Sequence, residues 1–390
     1  MSRPEATALP LPDPDAQAHS ARVRSAISRA IDDAGGFLPF DRYLELALYA
    51  PGLGYYVAGT RKFGAAGDFV TAPELTPLFG AALAVQVAEI LAVTDTREIV
   101  ELGAGSGKLA ADLLNALRAR GSPASRYRIV ELSGELVERQ RATITQRAPN
   151  ELGQVEWVVG LPAEIDGAVV MNEVLDAVSA NVVARRDGAW LERGVIRDGE
   201  LFAWGERPLT DSRVLALARE RFPDGVDYSS EINVAAEALV ELVARRLRHG
   251  AMLIVDYGFP RAEYYHPQRS DGTLMGHYRH RAHADPFVWP GLSDLTTHVD
   301  FTAIADAGER AGLAVAGFAS QAAFLLGCGL LERLQEVGAP TSIAYLREAA
   351  AVQTLTSPAE MGELFKVLAL SRDDAIAWPG FALSNRSGRL

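Results

Sequence analysis

Two rhythms of apolar and polar positions run along the chain, and the switches between them outline its organisation. Residues 19–34 and 40–49 carry the i, i+3, i+4 apolar spacing of amphipathic helices, with Asp41 as N-cap of the second. A Gly/Pro-punctuated stretch from Pro51 to Asp68 excludes regular helix or central strand. From Glu74 to Val93 the helical spacing returns. The centre then alternates short apolar runs with helical segments. Glu98–Leu102, Arg126–Glu131, Val155–Val159, Ala168–Met171 and Met252–Asp256 read as strands. Lys108–Arg120, Gly134–Arg147 and Glu231–Arg248 read as helices. Strands that are apolar on both faces and alternate with helices predict a parallel sheet covered on both sides, with its ligand at the carboxyl ends of the strands.

Residues 181–230 keep a different rhythm. Val182–Arg185, Trp190–Arg193 and Leu201–Trp204 alternate like half-buried strands, and Asp187-Gly188 and Asp198-Gly199 are hairpin signals between them. An antiparallel insertion between two core strands follows. Residues 329–370 return to helical spacing. The chain therefore divides into a disordered tail (1–18), an N-terminal helical lobe with a covering loop (19–95), an α/β core with the insertion (96–328) and a C-terminal helical segment (329–390).

Composition narrows the chemistry. Hydrophobic residues at 48% and charged residues at 23% are those of a globular chain. Lysine and arginine number 38 against 50 aspartate and glutamate, a net charge of −12 that repels phosphate backbones and suits a cationic partner. The single Cys328 precludes an intramolecular disulfide or multi-cysteine zinc site, and fits a reducing compartment. The apolar runs Phe79–Val93 and Phe324–Leu331 fall short of the ~18 residues of a membrane span. Residues 1–18 hold four prolines and one basic residue, unlike a secretory or transit leader, so a cytoplasmic location is expected.

The sharpest local signal is the run Ile99–Lys108, in which a strand ends on Glu101-Leu102 and turns through Gly103, Gly105 and Gly107 into a helix. A phosphate-binding P-loop is excluded, because Leu102 stands at its first glycine and Leu109 at its Ser/Thr. A dinucleotide fingerprint is weakened by Lys108 at its last glycine position. S-adenosylmethionine carries no phosphate, and it fits a loop whose glycines let the ligand pass close to the backbone, with Glu101 facing the cationic methionyl end directly or through water. A second acid is then required at the end of the next strand, about 20 residues on, for the ribose hydroxyls. Glu131 occupies that place.

The fourth strand runs into Asn172, Glu173 and Asp176. Two carboxylates three residues apart on one helical turn would form a socket for a guanidinium beside the sulfonium. Asp256 and Tyr257 end the fifth strand as further candidates. Five of the seven histidines lie between positions 266 and 298. His280 and His283 are expected in a loop that closes on the substrate; a metal pair, with Asp285 or His298 as third ligand, is disfavoured because the segment is rich in Arg and Tyr as well as His and methyl transfer requires no metal.

On these motifs the chain resembles the MidA-like S-adenosylmethionine-dependent methyltransferases. The resemblance extends from about Gly36 to Leu326 and rests on Phe40–Tyr56, Gly67–Glu74, the glycine loop, Asn172–Ala177, Asp256–Pro260, Tyr264–Arg269 and Pro290–Phe301. It implies a Rossmann-like class I core with a seven-strand sheet, S-adenosylmethionine as donor, and a segment with Gly67, Thr71 and Pro73 lying over the cofactor. Mitochondrial members methylate an arginine of a respiratory complex I subunit and assist that complex's assembly. The resemblance thus implies a protein-arginine methyltransferase with an arginine-bearing protein partner. Gly276 stands where many relatives carry cysteine. The segment Val155–Pro162 looks short, which leaves Trp157 and Leu161 as alternatives for the adenine contact. A rival function is a cofactor-binding assembly scaffold without essential transfer; a nicotinamide oxidoreductase comes third because of Lys108.

Overall fold

The computed structural model describes residues 9–58 and 71–390, which divide between two compact units. One unit holds Val70–Leu175, Ala238–Pro260 and Val299–Leu390. Its centre is a sheet of β1 (Glu98–Leu102), β2 (Arg126–Val130), β3 (Val155–Val158), β4 (Ile165–Asn172), β5 (Leu247–Phe259), β6 (Ala314–Ser320) and β7 (Phe365–Ser371), in the order β6-β7-β5-β4-β1-β2-β3. The strands β1 to β5 are mutually parallel, while β7 runs antiparallel to both β5 and β6. This mixed seven-strand sheet is that of the class I methyltransferase core. The short strand Val299–Asp300 also pairs with the end of β5.

Val169, Val170 and Met171 in β4, and Met252, Leu253 and Ile254 in β5, are without solvent exposure. Each such side chain contributes about 1.5–3 kcal/mol relative to an exposed one. The pairing register puts Leu102 level with both Val130 and Met171, and Asn172 level with Val255. The carboxyl ends of β1, β2 and β4 therefore finish together along one edge, while β5 continues past them to Phe259.

The other unit holds Met1–Phe69, Asp176–Glu237 and Arg261–His298. Its antiparallel sheet contains Leu38–Pro39, Ala189–Asp198, Asn181–Arg186 and Tyr228–Ile232 in that order, with Leu201–Pro208 beside Ala189–Asp198. Asp187 and Gly188, at φ 48° and 79°, make the expected tight turn. The helices Pro14–Asp33 and Phe40–Tyr49 bury Val23, Ile27, Ile31, Phe40 and Tyr43 with Val182, Val195 and Phe202 of this sheet. N-terminal helices and insertion thus share one hydrophobic core. A second, three-stranded sheet comprises Met275–Tyr278, Arg281–His283 and Asp294–Thr296.

Several expectations are corrected. Residues 14–18 are helical rather than a disordered tail, because Asp13 accepts from the Ala16 N–H and Pro14 starts the helix with its preset φ. Asp41 is not an N-cap; that position is Pro39, and Asp41 lies in the first turn. The helix expected from Glu74 to Val93 is two, Ala72–Leu75 and Pro77–Ala92, since Thr76 leaves the helical region to cap the second one through its hydroxyl. The C-terminal segment is not all helical. Its run Phe365–Ser371 is buried on both faces as β7, and such a run has no period that separates strand from buried helix. Among the described residues no helix is long and apolar enough to cross a membrane.

Candidate active site

The turn after β1 takes left-handed backbone at all three glycines, with φ 70°, 53° and 81° at Gly103, Gly105 and Gly107. An alanine at Gly103 would bring its Cβ within 2.8 Å of the Val174 Cγ2, and one at Gly107 within 2.9 Å of the Gln140 Cα. The loop is therefore pinned between the β4 loop on one side and the next helix on the other. Gly107 also caps α1 (Lys108–Ala119) without a side chain. Lys108 does not reach outward: its Nζ donates to Asp112 Oδ2 at 2.6 Å, and both side chains are buried. Its charge is neutralised within the helix, which removes the cation a pyrophosphate would use. Burial pushes the Asp112 carboxyl up, and Lys108 partly opposes this.

Glu101 is buried at the end of β1, where Tyr127 of β2 donates its hydroxyl to Oε2 at 2.8 Å. Burial pushes its carboxyl from 4.5 up to about 7, and the Tyr127 hydrogen bond works against that rise. Glu131 lies directly beyond β2. Its Oε1 accepts from the Leu132 and Ser133 N–H groups, each at 2.9 Å, and its Oε2 accepts from Gln140 Nε2 at 2.9 Å. The carboxylate is thus fixed from behind by three donors. Beside it, Leu132 is 80% exposed and Val159, just past β3, is 84% exposed. Two bare aliphatic side chains at the strand ends flanking Glu131 suit the faces of an adenine ring.

Trp157 donates its indole N–H to Gln140 Oε1 at 3.0 Å, and the Arg141 guanidinium lies 4.3 Å over its ring. One indole face is already occupied. Leu161 is half-buried, and its carbonyl accepts from Arg246. Sequence reasoning passed over Leu132, Val159 and Gln140; the apolar residue immediately after Glu131 was the available signal. Gly67 lies outside the described residues. Thr71 is the N-cap of the Ala72–Leu75 helix, which includes Pro73, and Glu74 of that helix accepts from the Ser106 hydroxyl in the glycine loop.

Beyond β4 the chain bends sharply. Glu173 has φ 54°, a left-handed conformation that costs a non-glycine residue about 1–2 kcal/mol. It is held there because its N–H donates to the Val255 carbonyl at 2.8 Å, and Asn172 Nδ2 donates to its Oε1 at 3.1 Å. Asn172 Oδ1 is buried without a hydrogen-bond partner among the described residues, an acceptor awaiting a donor. This bend corrects the expectation that Glu173 and Asp176 share a helical turn.

Asp256 has a supporting place beneath this bend. It is fully buried, and its carboxylate accepts from the N–H groups of Val174 at 3.2 Å, Leu175 at 2.9 Å and Tyr257 at 2.9 Å. Through these bonds it anchors the Glu173 loop. Asp256→Ala is expected to cost about 3 kcal/mol in urea unfolding, since one buried and two half-buried N–H groups lose their acceptor. A loss below 0.5 kcal/mol, roughly a surface effect, would remove the anchor. Tyr257 packs its ring against Phe365, centroids 5.4 Å apart.

Asp176, His280 and His283 belong to the other unit. There the Asp176 carbonyl accepts from Thr297 N, Tyr49 donates to the Ala177 carbonyl at 2.9 Å, and Tyr56 donates to Asp294 at 2.8 Å. Burial raises the Tyr49 hydroxyl, and the Asp176 and Asp294 charges raise it further. Tyr49, Tyr56 and Asp294 around Asp176 were not singled out from sequence. His280 is an exposed left-handed turn residue between Met275–Tyr278 and Arg281–His283. The His283 ring fills the space above Gly276, where a Cβ would stand 2.2 Å from its Cε1. A cysteine there requires that imidazole to move. Among the described residues no group of three His, Cys, Asp or Glu is arranged to hold a metal.

Comparison with known proteins agrees with this geometry. Residues 82–319 match a family model described as "Putative S-adenosyl-L-methionine-dependent methyltransferase". The crystal structure of a Burkholderia thailandensis protein bound to S-adenosyl-homocysteine is 48% identical, with TM-score 0.94 over 98% of this chain and 100% of that one. The mitochondrial protein arginine methyltransferase NDUFAF7 of Danio rerio is 28% identical over 366 residues, 85% of this chain and 83% of its own length. Its Homo sapiens counterpart is 27% identical over 362 residues, 84% and 78% of the two chains.

Proposed function

Because the chain belongs to the S-adenosylmethionine-dependent methyltransferase family that its residues 82–319 match, we propose that it methylates an arginine side chain of a partner protein. One observation carries the reading: Glu173 is held in a left-handed bend directly beyond β4, on the loop whose Val174 abuts Gly103. A carboxylate is thereby kept next to the loop expected to carry the donor.

The residues present fit the cofactor. The glycine cradle has no room for side chains at Gly103 and Gly107, Glu131 has its back lone pairs filled, and Leu132 and Val159 offer aliphatic faces. In this reading Glu101 meets the cationic methionyl end, Glu131 the ribose and Leu132 with Val159 the adenine. Bound S-adenosylmethionine supplies a methyl group already activated by its sulfonium. What remains for the protein is to orient the acceptor nitrogen and deprotonate it. Glu173 would hold the guanidinium, localise its charge on the nitrogens that do not react, and leave lone-pair density on the one that does. It would then accept the proton shed by the methylated nitrogen.

Two measurements test this. Calorimetry should show S-adenosylmethionine binding and no NAD binding. Tritiated S-adenosylmethionine plus the protein, added to lysate of a deletion strain, should label a polypeptide that yields methylarginine on hydrolysis; a subunit of respiratory complex I is the first to examine. Binding without any labelled polypeptide would favour a cofactor-binding scaffold. Asp176→Asn is run in parallel, because this acid follows Glu173 by three positions.

A further inference from the structure

We infer that Gln140 is a positioning residue that sets the ribose selectivity of the cofactor site; the inference rests on the cofactor reading above. Gln140 is wholly buried in α2 (Gly134–Arg147), and every polar atom of its amide is used. Its Nε2 donates to Glu131 Oε2 at 2.9 Å and to the Gly105 carbonyl at 3.2 Å, and its Oε1 accepts from Trp157 Nε1 at 3.0 Å.

The chemistry of the partners fixes which way the amide faces. An indole N–H can only donate, so it requires Oε1. A backbone carbonyl can only accept, so it requires the NH₂ group. Trp157 and Gly105 together therefore forbid the flipped amide, and Glu131 always meets a donor. The backbone of the same residue adds a second constraint, since Gln140 Cα leaves no space for a side chain at Gly107. One side chain thus ties together the glycine loop, the acid after β2 and the indole of β3.

With both lone pairs of Oε1 taken by backbone N–H groups and one of Oε2 by Gln140, Glu131 keeps a single acceptor site, on Oε2, in one orientation. A ribose hydroxyl is recognised by such a preset acceptor. Without the amide, the carboxylate is held through Oε1 alone, and Oε2 meets the diol in its preset orientation only part of the time. The expected consequence is a loss of selectivity for the ribose hydroxyls, beyond any general weakening.

The test uses the full-length protein and two probes, S-adenosylhomocysteine and its analogue lacking both ribose hydroxyls, with affinities from calorimetry. Gln140→Met, which keeps length and volume, is expected to weaken S-adenosylhomocysteine about tenfold and to leave the analogue nearly unchanged. The ratio of the two affinities should fall correspondingly. In a cycle with Glu131→Gln, the double variant should bind about as weakly as Glu131→Gln alone, because Gln140 acts through that carboxylate. Equal weakening of both probes, or additive losses in the cycle, would overturn the assignment in favour of a purely structural role. Trp157→Phe provides a route if Gln140→Met does not fold. It removes the donor to Oε1 and leaves the amide held only through its NH₂ group, so the ratio should again fall, and a ratio unchanged from wild type would count against the inference. Wild-type protein that binds neither probe would instead overturn the cofactor reading itself.

Discussion

Glu173→Gly should leave a protein that folds at least as well as wild type, binds S-adenosylmethionine as before and transfers essentially no methyl group. The expectation has two independent parts. Glu173 sits at φ 54°, where a Cβ costs about 1–2 kcal/mol, and glycine relieves that cost. Glycine also makes the unfolded chain more flexible, a penalty of roughly 0.5–1 kcal/mol, so the net gain is expected to be up to about 1 kcal/mol. The backbone bond from residue 173 to the Val255 carbonyl and the Asp256 anchor beneath the loop do not involve the lost side chain. Removing the carboxylate withdraws both the hold on the guanidinium and the proton acceptor, an effect of about 10²–10⁴ in rate. Glu173→Gln keeps the backbone cost and should be equally inactive. Thermal unfolding, calorimetry and tritium transfer on the two variants separate these contributions. If Glu173→Gly transfers at the wild-type rate, Glu173 is not the acceptor-site acid. If it is markedly less stable, the left-handed bend carries no strain.

Much of this site was legible in the sequence because its signals are local. Glycines at alternate positions between a strand and a helix imply left-handed backbone, and the structure has it at Gly103, Gly105 and Gly107. Acids at strand ends mark the carboxyl edge, and register brings the ends of β1, β2 and β4 together. What escaped depends on contacts between distant positions. Asp256 read as a reactive acid because a strand-end carboxylate has the same local pattern whether it faces ligand or backbone; only the approach of Val174 and Leu175 decides. Gln140 lies inside a charged helix where nothing local singles it out, yet it is buried and donates to the glycine loop from 35 positions earlier. Asn172-Glu173 followed by Val174 carries no glycine, so nothing announced the left-handed bend that breaks the expected helical turn. Likewise β7 was hidden because its partners β5 and β6 lie far back along the chain.

Affinity for S-adenosylmethionine is expected to rise about tenfold between pH 6 and pH 8, with its midpoint set by Glu101. In the protein without cofactor, burial holds this carboxyl at about 7, so near pH 6 it is largely neutral. Its neutral form is the one that burial favours. The stability associated with it is fully present below the ordinary 4.5 and is lost as pH rises through about 7. A cationic methionyl group reverses the preference, because the ionised carboxylate gains an opposite charge in a poorly solvated site. Binding near pH 6 must therefore expel a proton, whereas binding at pH 8 starts from the ionised acid. Calorimetry at pH 6.5 in buffers of different ionisation enthalpy should register that release. Glu101→Gln should bind more weakly by about 10- to 100-fold at pH 8 and show no pH dependence over this range. Tyr127→Phe removes the hydroxyl that donates to Oε2 and lowers the Glu101 carboxyl, so its midpoint should move upward from 7. A midpoint that stays in place in Tyr127→Phe, or a pH profile that survives Glu101→Gln, would assign the titration to another group and leave Glu101 a structural acid beneath the loop.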